Sequence, residues 1–261
     1  MIIRLSDHEY EQCLVFAQTC ALNQQRIEFG QSDTIPRATS EISRDNMIGK
    51  MAEVAFAKML HERYGIDIEL DFNYYPRGKW DDQDAVINGW LIDVKATRKG
   101  GRWMLIEWSK LNFRQKQNML SHLYVMASVD WDRTQDLPHR EVDLVGCASI
   151  NKLMPGAEKT EVLRKGQCIP NTHTPLQADN YGIRFSDLET NWDKVIRYIL
   201  NHQPPNLTDY PNPYTGKPLP RTSVWPAQET VQADKTREAE ESAVCQNKVW
   251  FWLKRLFGLR D

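Results

Sequence analysis

The sequence predicts an α/β protein, because helical and strand patterns alternate along its first 200 or so residues. Residues 48–60 (I-G-K-M-A-E-V-A-F-A-K-M-L) carry apolar side chains at helical spacing. Residues 84–95 (D-A-V-I-N-G-W-L-I-D-V-K) hold two short apolar runs joined by Asn88-Gly89, a strong β-hairpin signal. Residues 123–129 (L-Y-V-M-A-S-V) form an apolar run typical of a buried strand.

The predicted hairpin brings charged side chains together at one of its ends. Side chains two apart on a strand share a face, so Asp93 and Lys95 point one way while Ile92 and Val94 point the other. Asp84 begins the first strand, and a two-residue turn folds that strand back against the second. Two carboxylates and a lysine therefore converge.

Two carboxylates are a typical protein contribution to a Mg²⁺ site, which often also holds substrate phosphates. A metal ion can activate water and stabilise charge on an attacked phosphodiester. A lysine two residues from such an aspartate can orient the water, help to deprotonate it or neutralise the transition state. The pattern D-x-K is short, and an ordinary ion pair on an exposed strand face is the alternative. Asp81 and Asp82 compete with Asp84 as the second acid.

Glu53 lies near the apolar face of the predicted 48–60 helix, where a carboxylate is costly to desolvate unless it meets a cation or a metal. A helix with Glu53, a hairpin with Asp84, and then Asp93 and Lys95 in I-D-V-K follow one another in this order. The arrangement resembles the PD-(D/E)XK nuclease superfamily. The resemblance covers residues 40–130 well and extends weakly to about residue 200.

The resemblance implies a restriction-endonuclease-like core, in which a mixed central β-sheet is flanked by helices. It implies that Asp84 and Asp93 ligate Mg²⁺, for which Mn²⁺ can substitute, with the Val94 carbonyl as a further ligand. Lys95 would serve the water, and Glu53 would complete the acidic, metal-binding set. The sequence departs from the family in two ways: no proline precedes Asp84, and no clear Q-x-x-x-Y follows Lys95.

A net charge of −2 gives no overall attraction to nucleic acid, so a DNA-binding surface must be local. The candidate is a basic turn after Lys95, where phosphate contacts would position a substrate without reading its sequence. A solvated loop is the alternative. The residues of this turn are Arg98, Lys99 and Arg102.

Other elements follow from local patterns. Ser6-Asp7-His8-Glu9 is a capping box that predicts a helix to about Ile27, and Ser186 to Glu189 is a second one before another helix. The remaining predictions, in chain order, are a loop at 28–42, a strand at 66–70, an aromatic loop at 71–79, a strand at 103–108, a helix at 111–120, a strand at 142–150, an irregular stretch at 151–185 and a short strand at 181–185.

The C-terminal part differs in composition from the domain predicted at residues 1–202. Residues 203–247 contain seven of the 13 prolines and an acidic run, which predicts a disordered linker. Residues 248–261 (K-V-W-F-W-L-K-R-L-F-G-L-R-D) resemble an amphipathic segment. Docking on a protein partner or back on the domain is favoured there over a membrane surface.

The compartment is predicted from cysteines and the N-terminus. Five scattered cysteines lack any C-x-x-C pair, which argues against a zinc site or a disulfide framework and fits a reducing cytoplasm. The N-terminus has no basic segment followed by an apolar core, so we expect no signal peptide.

The function expected from these residues is that of an Mg²⁺-dependent endonuclease hydrolysing DNA phosphodiester bonds, in restriction, phage or mobile-element defence, or repair. Two alternatives stay open. One is a nucleic-acid-binding or scaffold module that keeps the fold without chemistry. The other is a structure-specific junction resolvase, an enzyme type that generally acts as a homodimer.

Overall fold

The computed structural model describes residues 1–23, 38–75, 83–107, 120–132, 134–153 and 157–207. Its helices are α1 (Asp7–Asn23), α2 (Thr39–Tyr64) and α3 (Trp192–Asn201). Its strands are β1 (Ile2–Arg4), β2 (Ala85–Ile87), β3 (Trp90–Arg98), β4 (Trp103–Glu107), β5 (Leu123–Asp132), β6 (Leu137–Ser149), β7 (Glu161–Leu163) and β8 (Asn180–Arg184), and short 3₁₀ turns span Ile150–Leu153 and Phe185–Asp187.

The strands form two sheets. The larger has the order β1-β6-β5-β3-β2 and is mixed, because β3 and β5 pair in parallel whereas the other neighbours are antiparallel. The smaller is antiparallel, with the order β4-β8-β7. The predicted α/β class is confirmed, and the central sheet is mixed.

Helix α2 packs against the larger sheet, and α1 packs against α2. The Glu41 carboxylate accepts from the Ala38 N–H at 2.8 Å at the start of α2, and Gly65 ends it with φ 63°. The apolar positions that the periodicity of residues 48–60 selects are all buried: Ile48, Met51, Ala52, Ala55, Phe56, Met59 and Leu60. This stripe is therefore the contact face of the helix.

The predicted hairpin is β2–β3. Asn88 and Gly89 have φ values of 48° and 79°, as a two-residue turn with positive φ at both positions requires. The register pairs Ala85 with Ile92. The next position outward sets Asp84 opposite Asp93, so the turn determines which carboxylates meet.

The second sheet covers the face of the larger sheet that carries Asp93 and Lys95. Across the parallel pair, Tyr124 is in register with Asp93 and Met126 with Lys95. Tyr124 and Met126 belong to one apolar cluster with residues of the smaller sheet, namely Met104, Ile106, Tyr181 and Ile183. The polar pair of β3 thus borders a packed apolar interface.

Two capping predictions had different outcomes. The first capping box is confirmed, because the Ser6 N–H donates to Glu9 Oε2 at 2.6 Å and the Glu9 N–H donates to Ser6 Oγ at 3.3 Å. The second is wrong, since α3 starts later and its cap is Asn191, whose side chain accepts from the Lys194 N–H at 3.0 Å. The backbone of Glu189 instead pairs with Cys147.

Three loop or strand predictions also needed correction. The predicted loop at 28–42 ends earlier, because α2 begins at Thr39; residues 24–37 lie outside the described part. Residues 66–70 alternate between more and less exposed positions but pair with no strand in the described ranges, so the predicted strand is not formed. The stretch 151–185 contains β7, which local pattern had not indicated.

The chain stays in contact with the hairpin beyond α3. The Trp90 indole N–H donates to the His202 carbonyl at 2.8 Å, and His122 Nε2 lies 2.9 Å from the Pro205 carbonyl oxygen. The rest of the predicted linker after residue 207, and the predicted segment 248–261, lie outside the described residues. None of the helices in the described ranges has the length and apolar character needed to cross a bilayer.

Candidate active site

The predicted hairpin residues Asp84, Asp93 and Lys95 meet near the middle of β3, just beyond the end of the β2–β3 ladder. Lys95 Nζ donates a hydrogen bond to Asp93 Oδ1, and Asp84 Oδ2 accepts one from the Val94 N–H at 2.6 Å. The side chains of Asp93 and Lys95 are 15% and 25% exposed. They are therefore largely shielded from water. With Glu53, we call Asp84, Asp93 and Lys95 the acidic cluster.

At Val94, β3 has no strand partner on the β2 side in the described ranges, because β2 is short. The β2–β3 ladder runs from Ile87 to Ala85, and beyond Ile92 no strand in the described ranges pairs with β3 on that side. The Val94 N–H points to this edge, where the Asp84 carboxylate takes the place of a strand partner. The N–H and C=O of one strand residue point to the same side. The Val94 carbonyl therefore faces the same edge.

The charges of the acidic cluster act strongly on one another. Burial raises the pKa of Asp84 well above its usual range, and the neighbouring carboxylates of Asp93 and Glu53 raise it further, against the opposing effects of Lys95 and the Val94 N–H. Burial disfavours the Lys95 ammonium, but Asp93, Asp84 and Glu53 outweigh it and raise the pKa of Lys95. The fold thus holds like charges together where water screens them little.

Glu53 reaches the acidic cluster from α2. Its carboxylate is 16% exposed and accepts from Lys50 Nζ at 2.5 Å, so it does meet a cation, as the cost of its burial requires. Lys50 itself is 3% exposed. The sequence analysis missed Lys50, although a lysine inside an apolar stripe one turn before a glutamate is a readable signal.

A divalent cation suits the Asp84 and Asp93 pair. The two carboxylates and the Val94 carbonyl offer the hard oxygen atoms that Mg²⁺ prefers, and a cation between them would relieve the repulsion that raises the pKa of Asp84. Within the described residues, no group of three or more His, Cys, Asp or Glu side chains has the arrangement to hold a metal ion. The competing acids Asp81 and Asp82 lie outside those residues.

Gln83, the residue directly before Asp84, anchors the chain at this point. The resemblance described above would place a proline here. Its amide Nε2 donates to the Leu120 carbonyl at 3.1 Å, and its Oε1 accepts from the Ser121 hydroxyl at 2.7 Å. The Ser121 N–H in turn donates to the Tyr124 hydroxyl at 3.3 Å. This network ties the strand entry to the start of β5, and no local sequence pattern revealed it.

The predicted basic turn follows β3. Arg98 ends the strand with its guanidinium 5.4 Å from the centre of the Trp131 ring, and Lys99 Nζ pairs with Asp130 Oδ2 at 2.8 Å. Arg102 is exposed. Arg98 lies three residue steps after Lys95 along the strand, about 10 Å at about 3.3 Å per step. The turn therefore lies one or two nucleotide lengths from the acidic cluster.

The predicted aromatic loop at 71–79 packs on its own chain where it is described. The Tyr74 hydroxyl donates to the Asn23 carbonyl at 3.1 Å, and the Tyr75 hydroxyl donates to Asp71 Oδ2 at 2.5 Å. Residues 76–79 lie outside the described part. These tyrosine hydroxyls are thus engaged in intramolecular contacts.

Fold and site together define an α/β protein whose mixed sheet carries two carboxylates and a lysine just beyond the end of the β2–β3 ladder. Comparisons of the chain with protein-family models, with curated proteins and with solved structures found no match.

Proposed function

We propose that the chain is a Mg²⁺-dependent nuclease that hydrolyses DNA phosphodiester bonds. The observation that carries this proposal is the meeting of Asp84, Asp93 and Lys95 just beyond the end of the β2–β3 ladder. Two opposed carboxylates destabilise a hairpin unless something offsets their repulsion. Lys95 offsets part of it, yet the pKa of Asp84 stays raised, and binding of a cation would offset the remainder.

A restriction-endonuclease-like core is part of the proposal. Helix α2 with Glu53 comes first, the β2–β3 hairpin follows, and β5 then pairs in parallel with β3. This order supports the resemblance. The strand β3 pairs with β2 on one side and with β5 on the other, so it lies in the interior of the larger sheet.

Each residue of the acidic cluster has a proposed role. Asp84, Asp93 and the Val94 carbonyl hold the cation, and Glu53 adds a third negative charge beside them. When bound, the cation would polarise the phosphodiester and activate the attacking water. The protonated Lys95 Nζ has three N–H donors and uses one in its hydrogen bond to Asp93. It can therefore donate another to the water or to a phosphate oxygen.

DNA would reach the acidic cluster along the basic turn. Arg98, Lys99 and Arg102 are proposed to contact phosphates on either side of the scissile bond, which sets position but not sequence. Lys99 would exchange its exposed ion pair with Asp130 for a phosphate at little cost, because water screens an exposed pair strongly.

The test is a cleavage assay on supercoiled, linear and single-stranded DNA with Mg²⁺, Mn²⁺ or EDTA. We expect cation-dependent cutting that falls at least about 100-fold in Asp93→Ala and in Lys95→Ala, the scale of a lost acid–base or electrostatic contribution. Lys165→Ala, which changes an exposed lysine on another surface, is the matched control and should cut at the wild-type rate.

Cleavage at the wild-type rate by Asp93→Ala or by Lys95→Ala would refute the nuclease proposal. DNA binding without cutting on any substrate, and without a response to Mg²⁺ or Mn²⁺, would favour the scaffold alternative. Cutting restricted to branched DNA would favour the junction resolvase.

A further inference from the structure

Lys50 is a buried cation next to the acidic cluster. Its ammonium donates to Glu53 Oε2 at 2.5 Å and to the Asp71 carbonyl at 2.6 Å. It also lies 4.6 Å from the centre of the Phe16 ring and 5.3 Å from that of Phe72. Burying an ammonium is costly, and these four contacts compensate for it. Because they come from α1, α2 and the 71–72 segment, Lys50 cannot easily move away.

The fixed ammonium determines where the Glu53 carboxylate lies. A short, charge-assisted hydrogen bond between two largely buried groups is strong. Asp84 and Asp93 face each other across the hairpin register, and Glu53 acts on Asp84 electrostatically. One oxygen of the Glu53 carboxylate is thus committed to the Lys50 ammonium.

The charge balance leads to the same conclusion. With every group ionised, the acidic cluster together with Lys50 has three carboxylates and two ammonium groups, hence one net negative charge. A single divalent cation would reverse this to one positive charge, which complements a phosphodiester anion. A second cation would find Glu53 already neutralised by Lys50.

We propose that Lys50 is a positioning residue that keeps Glu53 out of the coordination sphere, so that the site takes one divalent cation on Asp84, Asp93 and the Val94 carbonyl. This deepens the proposed function and rests on it. It assigns Glu53 the role of a nearby charge, in place of the direct ligand that the family resemblance implies.

The test is a titration of the full-length protein with Mn²⁺ in the absence of DNA, with free Mn²⁺ followed by electron paramagnetic resonance. We expect one Mn²⁺ per wild-type chain. Glu53→Gln keeps an oxygen acceptor for Lys50, so its stoichiometry should be unchanged and its Kd within about threefold of the wild-type value. Asp93→Asn removes a ligand and should weaken binding at least tenfold.

A second pair of variants tests Lys50 directly. In Lys50→Met the Glu53 carboxylate loses its cation, so we expect tighter Mn²⁺ binding or a second bound ion. Adding Glu53→Gln to Lys50→Met should restore a single site, a reversal that a merely structural role of Lys50 would not produce. Circular dichroism checks the fold, and if Lys50→Met does not fold, the comparison of Glu53→Gln with Asp93→Asn decides.

Three results would overturn the inference while leaving the nuclease intact. They are two Mn²⁺ ions per wild-type chain, a loss in Glu53→Gln as large as in Asp93→Asn, and a folded Lys50→Met protein that binds Mn²⁺ as the wild type does. Absence of Mn²⁺ binding by the wild type would instead refute the proposed metal-dependent function, and the inference with it.

Discussion

Asp84 is a proposed metal ligand whose burial also affects the stability of the metal-free protein. Its carboxylate is held by the Val94 N–H, and burial together with Asp93 and Glu53 raises its pKa. Without a cation, the folded state therefore keeps the Asp84 proton to higher pH than the unfolded chain does. Stability that is present below the usual aspartate pKa, about 3.9, is lost as pH rises through the raised pKa. At neutral pH this residue opposes folding of the metal-free protein.

We accordingly predict that Asp84→Asn stabilises the protein in EDTA at pH 7.5. The amide oxygen can still accept from the Val94 N–H, while the charge opposite Asp93 is gone. A gain of about 1 kcal/mol is expected, the scale of cross-strand pair effects. Urea unfolding measures it, with Glu158→Gln, an exposed acid elsewhere, as control. A loss of stability at pH 7.5 would contradict the prediction, as would a gain that persists unchanged below pH 4.

At the scale of elements, the hairpin was the most predictable part, because its signals are local. Asn88-Gly89 specifies the turn, the turn specifies the register, and the register sets Asp84 opposite Asp93. The start of α3 was less predictable. Ser186 has the residue pattern of a cap, but the pairing of Glu189 with Cys147 on β6 keeps that segment extended. A contact distant in sequence overrode the local signal there.

The hairpin turn leads to a prediction with opposite signs at two glycines. Gly89 has φ 79°, and a Cβ there would lie 3.4 Å from Pro204 Cγ, so Gly89→Ala should destabilise the protein by about 1 kcal/mol or more. Gly49 lies inside α2 with no atom within 4 Å of an added Cβ, so Gly49→Ala should stabilise it by about 0.5–1 kcal/mol. Thermal or urea unfolding of both variants checks the pair. Equal effects would show that the turn does not require positive φ.

At the scale of the whole molecule, sequence patterns predicted the longer strands but not their partners. The predicted strand at 103–108 is observed as Trp103–Glu107, yet it pairs with β8 in a separate sheet and does not extend the hairpin sheet. Strand β7 is three residues long, too short to leave a periodic signal. The Lys50 contacts with α1 and the 71–72 segment likewise depend on tertiary packing. Local propensity carries no information about such pairings.

The segment after α3 gives a prediction about truncation. A chain ending at residue 207 keeps the carbonyls that Trp90 and His122 bind, whereas a chain ending at residue 201 loses both. Two lost hydrogen bonds cost about 1 kcal/mol each, and each kcal/mol lowers Tm by about 2–4 °C at this size. The 1–201 chain should melt at least about 4 °C below the 1–207 chain. Equal melting temperatures of the two truncated chains would contradict this.

The pairing of β1 with β6 has a consequence for the order of events during synthesis. Ile3 lies opposite Val142, so the first strand meets its partner only after about 140 further residues have been made. At about 5–20 residues per second, this delay is roughly 7–28 s on the ribosome. The β3–β5 pair spans a far shorter stretch of chain and can form earlier. During synthesis, the β3–β5 pair next to the acidic cluster can therefore form before β1 pairs with β6 at the other edge of the sheet.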